Sequence, residues 1–282
     1  VFAVLRKNKI PVLTQFQILT PIDYLKVLRF LIFYPISVIQ FMKTLGVNYE
    51  DKLVKYALWN TLDGLVTENY MGFLLGQRLS SKITRPIKCL SWYENLAADK
   101  TFYSGLRTGP GKAEIVGAQL FIRPDTLMNI VPDENEIPFK VVPDKILVNG
   151  PGYRFDSEKI RVDVGPALRY RYLFNSETKI SSEKFILVVL PYWDDVANYI
   201  LDVILEVEWE VPVTIKFHPT MNWGKYKTRI PKNFKVVTDP LSILLPKTLI
   251  AIGHSTGALI EAASLGIPAI DVQYHEEFSH NY

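Results

Sequence analysis

IAIGHSTGALIEAASLGIPAIDVQ, residues 250–273, sets an apolar strand directly before a small polar turn, a helix and a second apolar strand. TLIAIGH (248–254) is a short apolar run and reads as a strand. TGALIEAASLG carries helical spacing and closes on Gly266, a residue suited to the left-handed helix stop. IPAIDVQ (267–273) reads as the next strand. The order places a helix N-terminus at the carboxyl end of a strand, where free N–H groups and the helix dipole favour an anion. Ser255 and Thr256 add hydroxyl donors, and Gly257 lets a ligand approach the backbone. The same Ser-Thr pair also serves as an ordinary helix cap.

Working outward, the same alternation repeats. FILVVLPY (185–192), VTIKFHP (213–219) and NFKVVTD (233–239) read as strands. DVANYILDVILEVEW reads as an amphipathic helix, and PLSILLPK as a short one with Pro240 at its start. Five apolar strands alternating with helices predict a doubly wound α/β sheet, whose ligands bind outside the carboxyl ends of the strands. Two such ends carry unusual polar groups: His218-Pro219, and Gly253-His254-Ser255-Thr256-Gly257. His218 taken alone also reads as a structural histidine closing a strand.

The region before residue 185 differs. Residues 1–80 read mainly helical, over 21–46 and 50–80. From Pro86 onward IKCLSW (87–92), AEIVGAQLF (113–121), KILVNG (145–150) and IRVDVG (160–165) read as strands, with a helix after the first. Residues 173–184 are polar and aperiodic and read as a linker, dividing a first domain (1–172) from a second (185–282). The stretch VLRFLIFYPISVIQFM (27–42) is interrupted by Arg29 and Pro35, so no transmembrane helix is expected. It reads as a buried or kinked helix pair, or as a patch for a membrane surface.

Composition narrows the function. Formal net charge is only +3, and no basic stripe is visible, which argues against nucleic acid as partner. The single cysteine, Cys89, excludes an intrachain disulfide and fits a reducing compartment, hence a cytoplasmic expectation. His254, His275 and His280 lack ligand spacing with carboxylates, so no metal site is expected. The chain opens VFAVLRKNKI, without Met, and reads as part of something longer.

KFHP followed by GHST resembles the HP and Ser/Thr motifs of bacterial sialyltransferases, polysialyltransferases and β-Kdo transferases, over roughly residues 185–273. The resemblance implies a GT-B-like fold: two Rossmann-like domains with a cleft between them, here with a helical N-terminal segment. It implies a glycosyltransferase that uses a CMP-activated sugar and a glycan or glycolipid acceptor, in capsule or lipopolysaccharide assembly at the membrane face. On that resemblance, His218, Ser255 and Thr256 hold the CMP phosphate, and Glu261 sits near the ribose. No cofactor beyond the donor is implied, and a metal-independent mechanism is expected. SWYEN, FYSGLR and PDKILVNGPGY look like the acceptor domain of surface-polysaccharide transferases. The acidic motif of sialyltransferases has only a partial match in LDG (62–64).

Transfer to an acceptor hydroxyl also needs a base. Glu94, after the strand IKCLSW, is the first candidate, although an acid there also suits a helix N-terminus. Asp63 is the second, and Asp194, beside Asp195 after VVLPYW, the third. Arg169 and Arg171 read as surface charges between buried tyrosines, or as contacts for an acidic group. The rival readings are a UDP-N-acetylglucosamine 2-epimerase, a CDP-glycerol-type polymer transferase and a non-catalytic GT-B scaffold.

Overall fold

The computed structural model describes residues 5, 7–44, 46, 52–59, 64–123, 127–175 and 184–274. The chain forms two compact units: residues 1–119 with 129–165, and residues 120–128 with 166–282. Both are α/β, each built on a parallel sheet, and the first carries a helical N-terminal segment. Most of the linker expected at 173–184 lies outside the described residues, as do Asp63, His275 and His280.

The first unit begins with helices α1 (Gln15–Ile18), α2 (Pro21–Thr44), α3 (Lys52–Trp59) and α4 (Leu65–Lys82). A kinked or buried pair was the expectation for residues 27–42. Instead α2 runs 24 residues through Pro35, and little of it is buried. By length and composition it is long and apolar enough to cross a membrane, which the interruptions at Arg29 and Pro35 argued against. Asp23 and Val27 form its buried stripe. Asp23 is 1% exposed and takes two hydrogen bonds from Arg78 of α4, at 2.8 and 2.9 Å.

The first sheet has four parallel strands in sequential order: β1 (Ile87–Trp92), β2 (Ala113–Gln119), β3 (Lys145–Val148) and β4 (Arg161–Val164). Among the described residues, only β1 and β2 are joined by an α-helix, α5 (Ala97–Leu106). Short 3-10 turns and loops make the other crossings, as the prolines between β2 and β3 dictate. Tyr93, Tyr103, Ile115 and Ile146 are fully buried in its core. Helices α4 and α5 cross at two glycines. A Cβ at Gly105 would lie 2.1 Å from the Phe73 carbonyl oxygen, and one at Gly76 2.5 Å from that of Phe102. No side chain fits there.

The second unit opens with α6 (Arg171–Asn175). Its sheet contains β5 (Phe185–Leu190), β6 (Val213–Phe217), β7 (Lys235–Val237), β8 (Thr248–Gly253) and β9 (Ala269–Asp271), all parallel, in the order β7-β6-β5-β8-β9. The chain thus winds outward from β5 to β7, then crosses back to β8 on the other side of β5. That doubly wound order is the one the alternating strands predict. Helix α7 (Asp194–Leu205) buries Val196, Ile200, Leu201 and Ile204 on one face of the sheet. Helices α8 (Leu241–Leu244) and α9 (Gly257–Ser264) cover the other, against Leu187, Val189 and Ala251. Pro240 occupies the cap position of α8, not its first turn, and Gly266 has φ +74° as a helix stop requires.

Candidate functional site

The reversal between β5 and β8 is the topological switch point, and ligands of such sheets sit outside the carboxyl ends of the strands there. Three of those ends, from β6, β5 and β8, carry most of the candidate residues of the second unit.

At the end of β6, His218 is exposed. Its backbone N–H donates to Leu190 O of β5 at 3.1 Å, which holds the two strand ends together. The Thr220 N–H donates to His218 Nδ1 at 3.3 Å, and the Thr220 hydroxyl lies 2.7 Å from the same nitrogen. A nitrogen that accepts an N–H carries no proton, so neutral His218 holds its proton on Nε2. Pro219, also exposed, shapes the turn that brings Thr220 back. Tyr192, just past β5, meets the His218 ring edge-on with centroids 5.5 Å apart.

At the end of β8, Gly253 lies against β5. A Cβ there would come within 3.0 Å of Val189 O and 3.1 Å of Thr256 Cγ2. His254 is 1% exposed, and its Nδ1 donates to Val272 O at 2.8 Å, with Asp271 Oδ1 3.6 Å away. It therefore fastens the turn to the segment after β9 from inside, although its place in the polar strand end 253–257 made it a candidate for nucleotide binding. Ser255 adopts φ +42°, a left-handed conformation that costs a non-glycine residue energy. Its N–H donates to Asp271 Oδ1 at 3.1 Å, which helps hold the strained turn. Thr256 caps α9, its hydroxyl accepting from Ala258 N–H at 3.3 Å, so the capping role weighed for this pair belongs to Thr256. The space before Gly257 is open, the nearest atom to a Cβ there being Ile122 Cδ1 at 4.0 Å.

His218 and the Ser255-Thr256 turn thus flank the end of β5, two strand spacings or roughly 10 Å apart. His218, the Ser255-Thr256 turn and the start of α9 belong to the ligand end of one sheet.

Other expected residues are engaged differently. Glu261 is 5% exposed, and its carboxylate accepts from the Tyr172 hydroxyl of α6. Burial pushes its carboxyl up from the usual range, against the lowering effect of that bond. It faces the protein interior, not a nucleotide's ribose. Asp194 opens α7, accepting from Lys225 Nζ at 2.8 Å and the Tyr226 hydroxyl at 2.6 Å. Those bonds hold its carboxyl below the usual carboxylate range, which makes it a weak base.

In the first unit, Glu94 follows the carboxyl end of β1, as its position in the sequence predicts. Its carboxylate accepts from the Trp92 indole at 2.7 Å. The loop beneath it is fixed: buried Asn95, at φ +57°, accepts from the Tyr93 hydroxyl and donates to Asn129 O. Asn129 in turn donates to Glu94 O. Asp99, not Glu94, takes the orphan N–H groups before α5, those of Glu94 and Leu96. Of the two arginines near residue 170, Arg169 lies over the Tyr170 ring, 5.7 Å from its centroid, and Tyr170 is buried.

Tyr192, Thr220, Asp271 and Tyr172 shape these ends without any sequence motif to mark them. Thr220 alone had a local signal, two residues after the histidine whose tautomer it sets. Comparison with known proteins gives no matching family model and no match among curated proteins.

Proposed function

We propose that this chain is a glycosyltransferase of GT-B fold. In this reading it moves Kdo or another acidic sugar from a CMP-activated donor to a glycan or glycolipid acceptor, in the assembly of bacterial capsule or lipopolysaccharide. One observation carries the reading: exposed His218, with Nδ1 accepting from Thr220, and the N-terminus of α9 flank the carboxyl end of β5 at the switch point of the second sheet. The KFHP and GHST resemblance supplies the chemistry such a pair would serve.

The acceptor oxygen forms a bond to the anomeric carbon as the bond from that carbon to the CMP phosphate oxygen breaks. The electron pair leaves with the phosphate, and the acceptor's proton passes to a base. His218 Nε2–H and the backbone at the start of α9 stabilise the phosphate as its charge grows. Glu94 is the first candidate for that base on its place in the sequence. Asp194, held low by Lys225 and Tyr226, serves the fold.

Calorimetric titration with CMP, CDP, UMP and UDP tests it, on the wild type and on His218→Ala. CMP binding that weakens in the variant is the expected result. A preference for UDP replaces the reading with an epimerase-like or UDP-sugar enzyme, and a preference for CDP with a CDP-glycerol-type polymer transferase. Binding of none leaves a non-catalytic scaffold.

A further inference from the structure

Helix α2 carries two apolar faces, and the fold uses only one. Asp23 and Val27 turn inward toward α4, where Leu74 is buried. On the opposite side Ile22, Leu25, Leu28, Ile32 and Ile36 recur at three- and four-residue spacing, and each is at least half exposed. A helix apolar on two sides is ordinarily enclosed by protein or lipid.

Charge indicates which. The helix holds Lys26, Arg29 and Lys43 against one acid, Asp23, which is buried against Arg78 and lies 3.7 Å from Lys26 Nζ, so the outer face keeps a net positive charge. Arg29 meets no carboxylate among the described residues and lies over the Phe33 ring, 5.9 Å from its centroid. Beside the ridge, Lys26, Arg29, Phe30, Phe33 and Tyr70 line a groove of about 340 Å³, with Phe30 and Tyr70 stacked 4.1 Å apart. Two cations and three aromatic rings lining one groove suit a phosphate joined to an apolar chain, the chemistry of a phospholipid at the water interface.

We infer that α2 lies in the plane of an anionic bilayer. Its outward ridge enters the acyl region, and Lys26 and Arg29 hold lipid phosphates at the groove. The in-plane orientation follows from the inner face: the Asp23–Arg78 bonds keep it on α4, and a crossing helix would carry Arg29 into hydrocarbon. The inference is independent of the nucleotide reading.

Flotation of the full chain tests it, with vesicles of phosphatidylcholine alone and of phosphatidylcholine with phosphatidylglycerol. The chain floats with the anionic vesicles and not with the neutral ones, and added salt weakens the association. Replacing both cations, Lys26→Gln with Arg29→Gln, weakens binding roughly thirtyfold, about fivefold per cation. Leu25→Ser with Ile32→Ser abolishes it. All four side chains are exposed, so circular dichroism of the variants matches the wild type. Independent of any substitution, amide exchange over residues 22–36 slows when anionic vesicles are added.

Three results overturn the inference: no flotation of the wild type, flotation indifferent to both double variants, or exchange unchanged by vesicles. A lipid-free dimer that Leu25→Ser with Ile32→Ser dissolves also overturns it, and assigns the ridge to a second copy of the chain.

Discussion

The Tyr172 hydroxyl donates to the Glu261 carboxylate, joining α6 to α9 between residues 89 positions apart. The acceptor is 5% exposed, and burial raises its carboxyl above the usual range while it also raises the Tyr172 phenol. A carboxyl raised on folding stabilises the fold fully only when protonated, below its unfolded value near 4.5, and loses that contribution as pH climbs through the folded value. Glu261→Gln keeps an acceptor for Tyr172 and never ionises. Its melting temperature at neutral pH should equal or exceed the wild type's, without the decline the wild type shows as pH rises above about 4.5. Glu261→Leu leaves the phenol without its acceptor and should cost about 1–3 kcal/mol. Thermal melts across that range check both.

The tautomer of His218 depends on Thr220. With the proton held on Nε2, His218→Ala should weaken CMP binding by roughly 10- to 100-fold, the worth of a hydrogen bond to a charged group. Thr220→Val retains the N–H bond and loses the hydroxyl, so its loss should be smaller. Both side chains are exposed, so melting temperatures should hold. Loss of binding together with loss of stability would assign His218 to the fold.

Gly253 and Gly257 bracket the same turn and should respond in opposite ways. Gly253→Ala forces a methyl against Val189 O and Thr256 Cγ2, at 3.0 and 3.1 Å, and should destabilise by about 1–3 kcal/mol. Gly257→Ala meets only Ile122 Cδ1 at 4.0 Å, so melting should be unaffected. If a phosphate rests on the start of α9, that methyl occupies its approach, and nucleotide affinity should fall at unchanged stability. Unaltered affinity would remove the cradle from α9.

The Asp23–Arg78 pair governs the acid limb of stability. Burial alone would raise the Asp23 carboxyl, but hydrogen bonds from Arg78 and Thr20 outweigh it and bring the value down to about 2, from 3.8. A depressed carboxyl stabilises above its unfolded value and loses that contribution as pH falls through the folded one. On the order of 1–2 kcal/mol should therefore disappear between about pH 4 and about pH 2. Arg78→Met strips the buried acid of its guanidinium, leaving it Thr20 and, at 3.7 Å, Lys26, and should cost about 3 kcal/mol at neutral pH, read by chemical denaturation.

The second sheet was legible because its strands are buried on both faces. FILVVL and TLIAIG are near-continuous apolar runs closed by proline or glycine, and those runs define the strands before any contact is known. The cap before α9 was equally legible, since Thr256 acts on an N–H only two residues on. Glu261 was not, because Tyr172 reaches it from 89 positions away and reverses its orientation. Asp271, which fastens Ser255 from 16 positions on, left no local mark either. Helix α2 was legible as helix. Its exposure was not, because a residue pattern apolar on two sides describes an enclosed helix and a lipid-facing one alike.

The glycine crossing of α4 and α5 has a mechanical consequence. With Gly76 and Gly105 in contact, the two backbones touch with no side chain between them to slide or repack. The other side of α4 grips α2 through Arg78 and Asp23. A sideways load on α2 therefore reaches the first sheet through two stiff joints in series. The helical segment and that sheet should behave as one lever, with no give at either joint.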